Sequence, residues 1–331
     1  MRILIVKTSS LGDLFHALPA VHLLKTGLNA EIDWVVNSSY VPLVKCFTDV
    51  DRVIPFPRNN VHGNLKSFLA DLRQDKYDLV VDMQGLLKSA LIARAARSHK
   101  RIGPSFHREF AYLFYDHVAA ERNKERHAVD ENLDVLRFLE LPTEPVQFPV
   151  AFPPPEFVGQ TSPLKILLSP CSRHAAKNWP VERFAAVGKV LHEKTGAMLY
   201  ISGVPEDSDV CKKLMELLPP GSAHNLCGKT SLVELGGVLQ AMALVITVDS
   251  GPMHMAAATG TPTLAIFGPT DPLRVGPYGP QHRVLRNTGV TSYSKDDLQS
   301  ILGVSVEDAA SAAAEMLGQS KISSILKSME K

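Results

Sequence analysis

A rhythm in the chain constrains its fold more than any single residue does. Short, wholly apolar runs alternate with longer stretches patterned for a helix. Residues 3–6 form such a run, and further strands are expected at Glu31–Val36, Arg52–Pro55 and Leu79–Asp82. An unbroken apolar run marks a strand buried on both faces, as in a parallel sheet, whereas strict alternation would mark a half-exposed one. Strands alternating with helices imply right-handed crossovers in an α/β fold. After the first run, Leu14, Phe15, Leu18, Val21 and Leu24 make a helical face, with a kink expected at Pro19.

The rhythm stops and restarts. Residues 141–163 hold seven prolines, a density that prevents regular helix and favours an extended connector. Beyond it, strands are expected at 165–169, 198–202, 244–248 and 263–267, with a helix over 179–194. A length of 331 residues suits two domains at about 100–200 residues each. The expected boundary places residues 1–157 in one Rossmann-like domain and 158–331 in another. The tail from 305 reads as helical, broken at Gly318, and its last helix is a candidate to pack back on the first domain.

Composition excludes several functions. Thirty-five Lys and Arg against 34 Asp and Glu leave a net charge of +1, which argues against a nucleic-acid partner. No apolar run reaches the roughly 18–20 residues of a membrane span. The run between Arg2 and Lys7 is too short for a signal-peptide core, so a cytoplasmic protein is expected. The four cysteines are dispersed without a CxxC pair, so neither a disulfide framework nor a zinc site is expected.

Ligands of open parallel sheets bind beyond the carboxyl ends of the strands. The loop after the first strand reads Lys7-Thr8-Ser9-Ser10-Leu11-Gly12-Asp13. Gly12 permits close backbone approach, and Asp13 is either a residue complementing the helix dipole or a general base. Without GxGxxG or GxxxxGK[ST], the chain lacks both the dinucleotide fingerprint and the P-loop. The second loop, residues 82–89, offers Gln84 and Lys88 as donors to a sugar or an anion.

Between Arg94 and His127 lie eight Lys and Arg, four Asp and Glu and four His. Phe106, Phe110, Tyr112, Phe114 and Tyr115 are interspersed among them. For any one residue a solvated helical face is the ordinary reading. Together they suggest an anionic or membrane-surface ligand, with Arg122, Lys124 and Arg126 as residues to reverse.

In the second half Ser172, Arg173 and Lys177 follow one strand, Asp207 the next, and Thr230 precedes a Ser231–Glu234 capping box. Residues 247–257 run from a strand through Asp249-Ser250-Gly251 into a helix carrying His254. Backbone N–H groups at such a helix start suit a diphosphate. Gly268-Pro269-Thr270-Asp271 closes the same rim.

These motifs resemble glycosyltransferase family 9, the lipopolysaccharide heptosyltransferases, and most of all its heptosyltransferase I branch. The resemblance rests on Lys7–Asp13, Asp82–Ser89, Lys177-Asn-Trp-Pro180, Val248-Asp-Ser-Gly-Pro-Met-His254 and Phe267–Asp271. It implies a GT-B fold, two Rossmann-like domains with parallel sheets facing a central cleft. It implies ADP-L-glycero-β-D-manno-heptose as donor on the second domain, and the Kdo of the lipid A inner core as acceptor on the first. Asp13 would be the general base, with Ser10, Gly12, Gln84 and Lys88 towards the acceptor. Ser172, Arg173 and Lys177 would meet the donor, Lys177 at the diphosphate. Asp207 and Thr230 would lie towards the adenosine. Asp249, Ser250, Gly251 and His254 would cradle the heptose and diphosphate.

Transfer would be a single inverting displacement with no cofactor and no obligatory metal. A monomer that visits the inner membrane surface from the cytoplasm is expected. The pattern departs at Ser172-Arg173, where the branch has two threonines, and at Asp207, where it has glutamate. A sister transferase with another sugar or acceptor, and a non-catalytic nucleotide-binding protein, are the competing readings.

Overall fold

The computed structural model describes residues 1–58, 61–156, 164–287 and 298–318. The chain divides into two compact units, Met1–Ala151 and Phe152–Lys331. The division falls inside the proline-rich segment, six residues before the expected boundary. Its end already belongs to the second unit. A Cβ on Gly236 would stand 2.4 Å from the Phe152 ring, and one on Gly237 would stand 2.1 Å from the Pro153 carbonyl oxygen. Two adjacent glycines thus let the extended segment lie directly on a helix.

In the first unit, strands β1 (Arg2–Val6), β2 (Glu31–Asn37), β3 (Arg52–Phe56), β4 (Leu79–Asp82), β5 (Arg101–Gly103) and β6 (His117–Val118) form one sheet. Its order is β3-β2-β1-β4-β5-β6, and every pairing is parallel. Two-residue strands Lys76–Tyr77 and Arg97–Ser98 pair separately. Ile3, Leu4, Ile5 and Val6 are wholly buried, as the apolar run requires.

Helix α1 (Leu11–Leu28) follows β1, and the unit also holds α2 (Val61–Leu72) and α3 (Leu87–Ala95). Ser10 caps α1, and Asn29 ends it in the left-handed region at φ 47°. The helix continues through Pro19 as one element. The ring removes one amide donor, but Ala17, Leu18, Ala20 and Val21 around it are fully buried and hold the helix in place. The 94–127 stretch is not a helical face. It comprises the end of α3, three short strands and a 3-10 turn at Ala111–Phe114.

The second unit repeats the plan. Strands β7 (Lys165–Ser169), β8 (Met198–Ile201), β9 (Ala223–Asn225), β10 (Leu244–Val248), β11 (Thr263–Phe267) and β12 (Arg283–Arg286) run in the order β9-β8-β7-β10-β11-β12, all parallel. Its helices include α4 (Val181–Thr195), α5 (Ser208–Leu217), α6 (Leu232–Gln240), α7 (Gly251–Ala258) and α8 (Val306–Met316). Alternate strand residues such as Ile166, Leu199, Ile246 and Leu264 meet Phe184 and Leu191 of α4 in one core. Ala309, Ala312 and Ala313 bring α8 into that core, so this helix belongs to the second unit. The expected return of a last helix to the first domain concerns residues beyond 318, outside those described. The four cysteines are free.

Both sheets have the doubly wound order in which strand succession reverses once. The reversals lie between β1 and β4 and between β7 and β10. Such switch points open a crevice at the carboxyl ends of the strands, where ligands bind in this class of sheet.

Candidate active site

At the second unit's switch point a single carboxylate ties three strand ends together. Lys177 follows β7, Asp249 follows β10 and Thr270 follows β11. The Lys177 ammonium and the Thr270 hydroxyl both donate to Asp249 Oδ2, each at 2.6 Å. Asp249 is 6% exposed, so this pairing offsets its removal from water.

The loop that delivers Lys177 is itself rigid. The Ser172 N–H donates to Asn178 Oδ1 at 2.8 Å, and its hydroxyl donates to the His174 carbonyl at 2.9 Å. Trp179 anchors the far end, buried, with its indole N–H on the Val304 carbonyl at 3.1 Å. Arg173 is exposed in the same loop.

Ser250 caps α7, and Gly251 opens it. The expected cradle of several backbone N–H groups is narrower than supposed. Pro252 has no N–H, and the Met253 N–H donates to the Ser250 carbonyl at 3.2 Å. The Gly251 N–H and Lys177 remain as donors to an anion, while the Ser250 hydroxyl lies 3.3 Å from the Thr247 hydroxyl. His254 lies half-buried on the same first turn.

Asp207 and Thr230 follow β8 and β9. Asp207 accepts from the Val204 N–H at 3.0 Å and so shapes its own loop. At about 4.8 Å per strand, these two sit roughly one and two strand spacings from the β7 loop, in the same row. The second-half site residues therefore line one edge of one sheet, over a span suited to an extended nucleotide-sugar. Thr270 was not singled out from the sequence, although the motif holding it was. Its neighbour Asp271 caps the short helix Pro272–Val275 through the Leu273 N–H.

The first unit's switch point holds the other group. Lys7, at the end of β1, is buried, and its ammonium donates to the Met83 carbonyl at 2.6 Å. Gln84 Oε1 accepts from the Thr8 and Ser9 N–H groups at 3.1 and 3.0 Å. Gln84 thus orders the β1–α1 loop, and its amide NH2 is left to meet a ligand. The Ser10 N–H and hydroxyl both donate to Asp13 Oδ2, at 2.9 and 2.8 Å. Ser10 therefore orients Asp13. Gly12 is buried beside them in the first turn.

The second Asp13 oxygen is 3.9 Å from His16 Nδ1, and the side chain is 44% exposed. Burial by itself would raise the Asp13 pKa. Lys7, His16 and the Ser10 N–H outweigh it and hold the carboxyl well below the usual range. Burial lowers the pKa of Lys7, opposed by Asp13 and Asp82. Lys88, on α3, stands 5.2 Å over the Phe56 ring, its pKa lowered by partial burial and then by Arg58.

Asp82 closes the floor, accepting from the Gln84 and Gly85 N–H groups and from the Tyr115 hydroxyl at 2.7 Å. Gly85 has φ 70°, and a Cβ there would lie 2.9 Å from Pro104 Cγ. Only glycine fits that turn without strain.

The basic stretch divides. Arg101 is buried and donates to the Ala93, Ala96 and Ser98 carbonyls. Arg126 forks onto buried Asp134 at 2.7 and 2.6 Å. Arg126 is therefore structural and unsuited to the docking role expected of it, whereas Arg122 and Lys124 are exposed. Among the described residues, no group of three or more His, Cys, Asp or Glu is placed to hold a metal ion. No described helix is long and apolar enough to cross a membrane.

Comparison with known proteins agrees with this geometry. Residues 65–303 match the model of glycosyltransferase family 9 (heptosyltransferase). Lipopolysaccharide heptosyltransferase 1 of Escherichia coli (strain K12) is 30% identical over 310 residues, covering 86% of this chain and 93% of that protein. The structure of E. coli heptosyltransferase WaaC with ADP superposes with a TM-score of 0.81 at 27% identity, covering 96% of this chain and all of that one. The same enzyme with ADP-2-deoxy-2-fluoro heptose gives a TM-score of 0.78 at 26% identity, covering 95% and 99%. The two doubly wound sheets are the GT-B class that the motifs implied. With its fold and most of its length in common with these enzymes, the chain belongs to glycosyltransferase family 9, the heptosyltransferases.

Proposed function

We propose that this enzyme moves L-glycero-D-manno-heptose from ADP-heptose to the Kdo inner core of lipopolysaccharide, with inversion and with Asp13 as general base. The observation that carries the reading is the Asp13 carboxylate. Ser10 holds one oxygen, the other lies 3.9 Å from His16 Nδ1 in a side chain that is still 44% exposed, and Lys7 keeps the group ionised. A sugar hydroxyl is a poor nucleophile and needs such an acceptor for its proton.

A carboxylate this acidic is a weak base. It takes the proton late, as the new C–O bond forms and the attacking oxygen becomes acidic. The bond from the anomeric carbon to ADP breaks in the same displacement. The departing diphosphate gathers negative charge, which Lys177 and the Gly251 N–H would meet. Asp249 holds Lys177 ready. Asp207 and Thr230, along the row, suit the adenosine. The complexes of E. coli WaaC with ADP and with ADP-2-deoxy-2-fluoro heptose support this assignment of the donor.

The same reading makes the protein a monomer on the cytoplasmic face of the inner membrane, using no cofactor and no obligatory divalent metal. Incubation with ADP-heptose and Kdo-lipid A, with products identified by mass spectrometry, tests it directly. An acceptor heavier by one heptose is expected. Asp13→Ala should still bind ADP-heptose and lose most of its turnover, and near-normal turnover would remove Asp13 as base. Turnover with a different donor or acceptor favours a sister transferase, and binding without turnover favours a non-catalytic protein.

A further inference from the structure

Five apolar side chains stand in solvent on one local assembly of the first unit. Phe110 is 71% exposed and Leu113 68%, with Tyr112 between them on the 3-10 turn. The turn packs on α3, where Leu87 and Leu91 are also exposed. Spaced four residues apart, those two leucines share one face of the helix. Two hydrogen bonds join the residues leading into the turn to the start of α3 and the loop before it. The Leu87 N–H donates to the Glu109 carboxylate at 3.1 Å, and the Arg108 N–H donates to the Gly85 carbonyl at 2.8 Å.

The outward setting of Phe110 is built in. Glu109 and Phe110 are consecutive non-glycine residues in the left-handed region, at φ 56° and 58°. Side-chain-bearing residues adopt that region rarely, and a bulky aromatic more rarely still. The ties to Leu87 and Gly85 hold the turn in this shape, with its apolar tips in water.

The surrounding charge is one-sided. Within residues 94–127, buried Arg101 pairs with the exposed Asp116, and half-buried Arg126 with the buried Asp134. That leaves six exposed cations, Arg94 and Arg108 among them, against the three carboxylates not paired with either arginine, Glu109, Glu121 and Glu125. A protein interface core is depleted of charge. Aromatic and leucine tips beside unpaired cations instead suit the headgroup boundary of an anionic membrane. The place is also suitable. α3 starts just past the carboxyl end of β4, three residues after Gln84, and Glu109 and Arg108 are tied to its first residue, Leu87, and to Gly85, so this end of the patch lies toward the edge that holds Gln84.

We propose that the Phe110–Leu113 turn, with Leu87 and Leu91 of α3, is an interfacial anchor that seats the first unit on an anionic lipid surface. The proposal deepens the reading of a lipid-linked acceptor and rests on it. It names the surface against which that acceptor is met.

The test is co-sedimentation of the full chain with phosphatidylcholine vesicles, with and without phosphatidylglycerol. The unaltered protein should partition onto the anionic vesicles, less so at high salt. F110S/L113S should partition at least about tenfold more weakly, because two large side chains lose their apolar transfer energy. L87S/L91S should show a smaller loss. Both variants should keep their turnover on a soluble, deacylated acceptor.

Equal partitioning of F110S/L113S and the unaltered protein overturns the proposal, as does an unaltered protein that stays in the supernatant. Self-association of the unaltered protein that F110S/L113S abolishes, with vesicle binding unchanged, assigns the patch to a second copy instead. Loss of soluble turnover in F110S/L113S assigns the turn to the acceptor site and also overturns the anchor. Failure of the unaltered protein to transfer heptose to any acceptor overturns the proposed function and leaves the vesicle result to decide the anchor.

Discussion

Asp13 and Lys7 form a unit in which position and protonation are coupled. Lys7 is held by the Met83 carbonyl, and its charge opposes the effect of burial on Asp13. Because the Asp13 pKa is depressed, its base form persists below the pH at which an ordinary carboxylate protonates. The acid limb of the pH–rate profile should therefore not arise from Asp13 near pH 4. Lys7→Met removes the lowering charge and leaves burial to act. Asp13 then titrates higher, and kcat/KM should fall earlier as pH drops. A profile with an unmoved acid limb would refute that coupling. In the second unit, Lys177→Ala should weaken ADP binding by about 10- to 100-fold, the usual worth of a hydrogen bond to a charged group. Isothermal titration reads it directly. The candidacy of Asp13 and Lys177 was visible in the sequence as polar residues after apolar runs. That Gln84 orders the β1–α1 loop was not, because its partners Thr8 and Ser9 lie 76 and 75 residues away.

At the scale of elements, strand placement was readable to within a residue or two wherever the strand is a continuous apolar run. Residues 79–82, 165–169, 244–248 and 263–267 are strands to the residue. The strands β5, β6, β9 and β12 were missed because they are short or carry charge, and Arg101 and Arg283 sit in them. A buried arginine satisfied by three carbonyls reads in sequence like any surface arginine. The 94–127 stretch shows the consequence most clearly, since its uniform basic character concealed two internal pairs. Arg126→Ala should destabilise the fold by about 2 kcal/mol, less than the ~3–5 kcal/mol for removing a sole partner of a buried charge, because Arg137 and Ser105 still bond Asp134. Arg122→Glu should leave stability nearly unchanged. Urea denaturation of the two variants side by side would show whether inward and outward arginines differ as described.

Across the whole molecule, stability should depend on pH through His282. Burial pushes its pKa down to about 4, only partly offset by the Tyr278 backbone. An unfolded histidine takes up a proton near pH 6.5, and the folded one does so only near pH 4. Between those values the unfolded chain binds more protons, so stability falls as pH falls through that window. His282→Gln should flatten the decline between pH 7 and 5, measured by chemical denaturation at each pH. The sequence by itself determined the α/β class, the two repeated units and the loops that hold the candidate chemistry, because apolar periodicity and proline density are local properties of the chain. Only the tertiary structure decided which of those loops meet. Strand order places the β7 and β10 loops side by side, so that Lys177 reaches Asp249 across 72 residues, and it places Lys7 against Met83 across 76. Pairing order is set by packing and crossover connections between distant segments, and no local pattern in the chain encodes it.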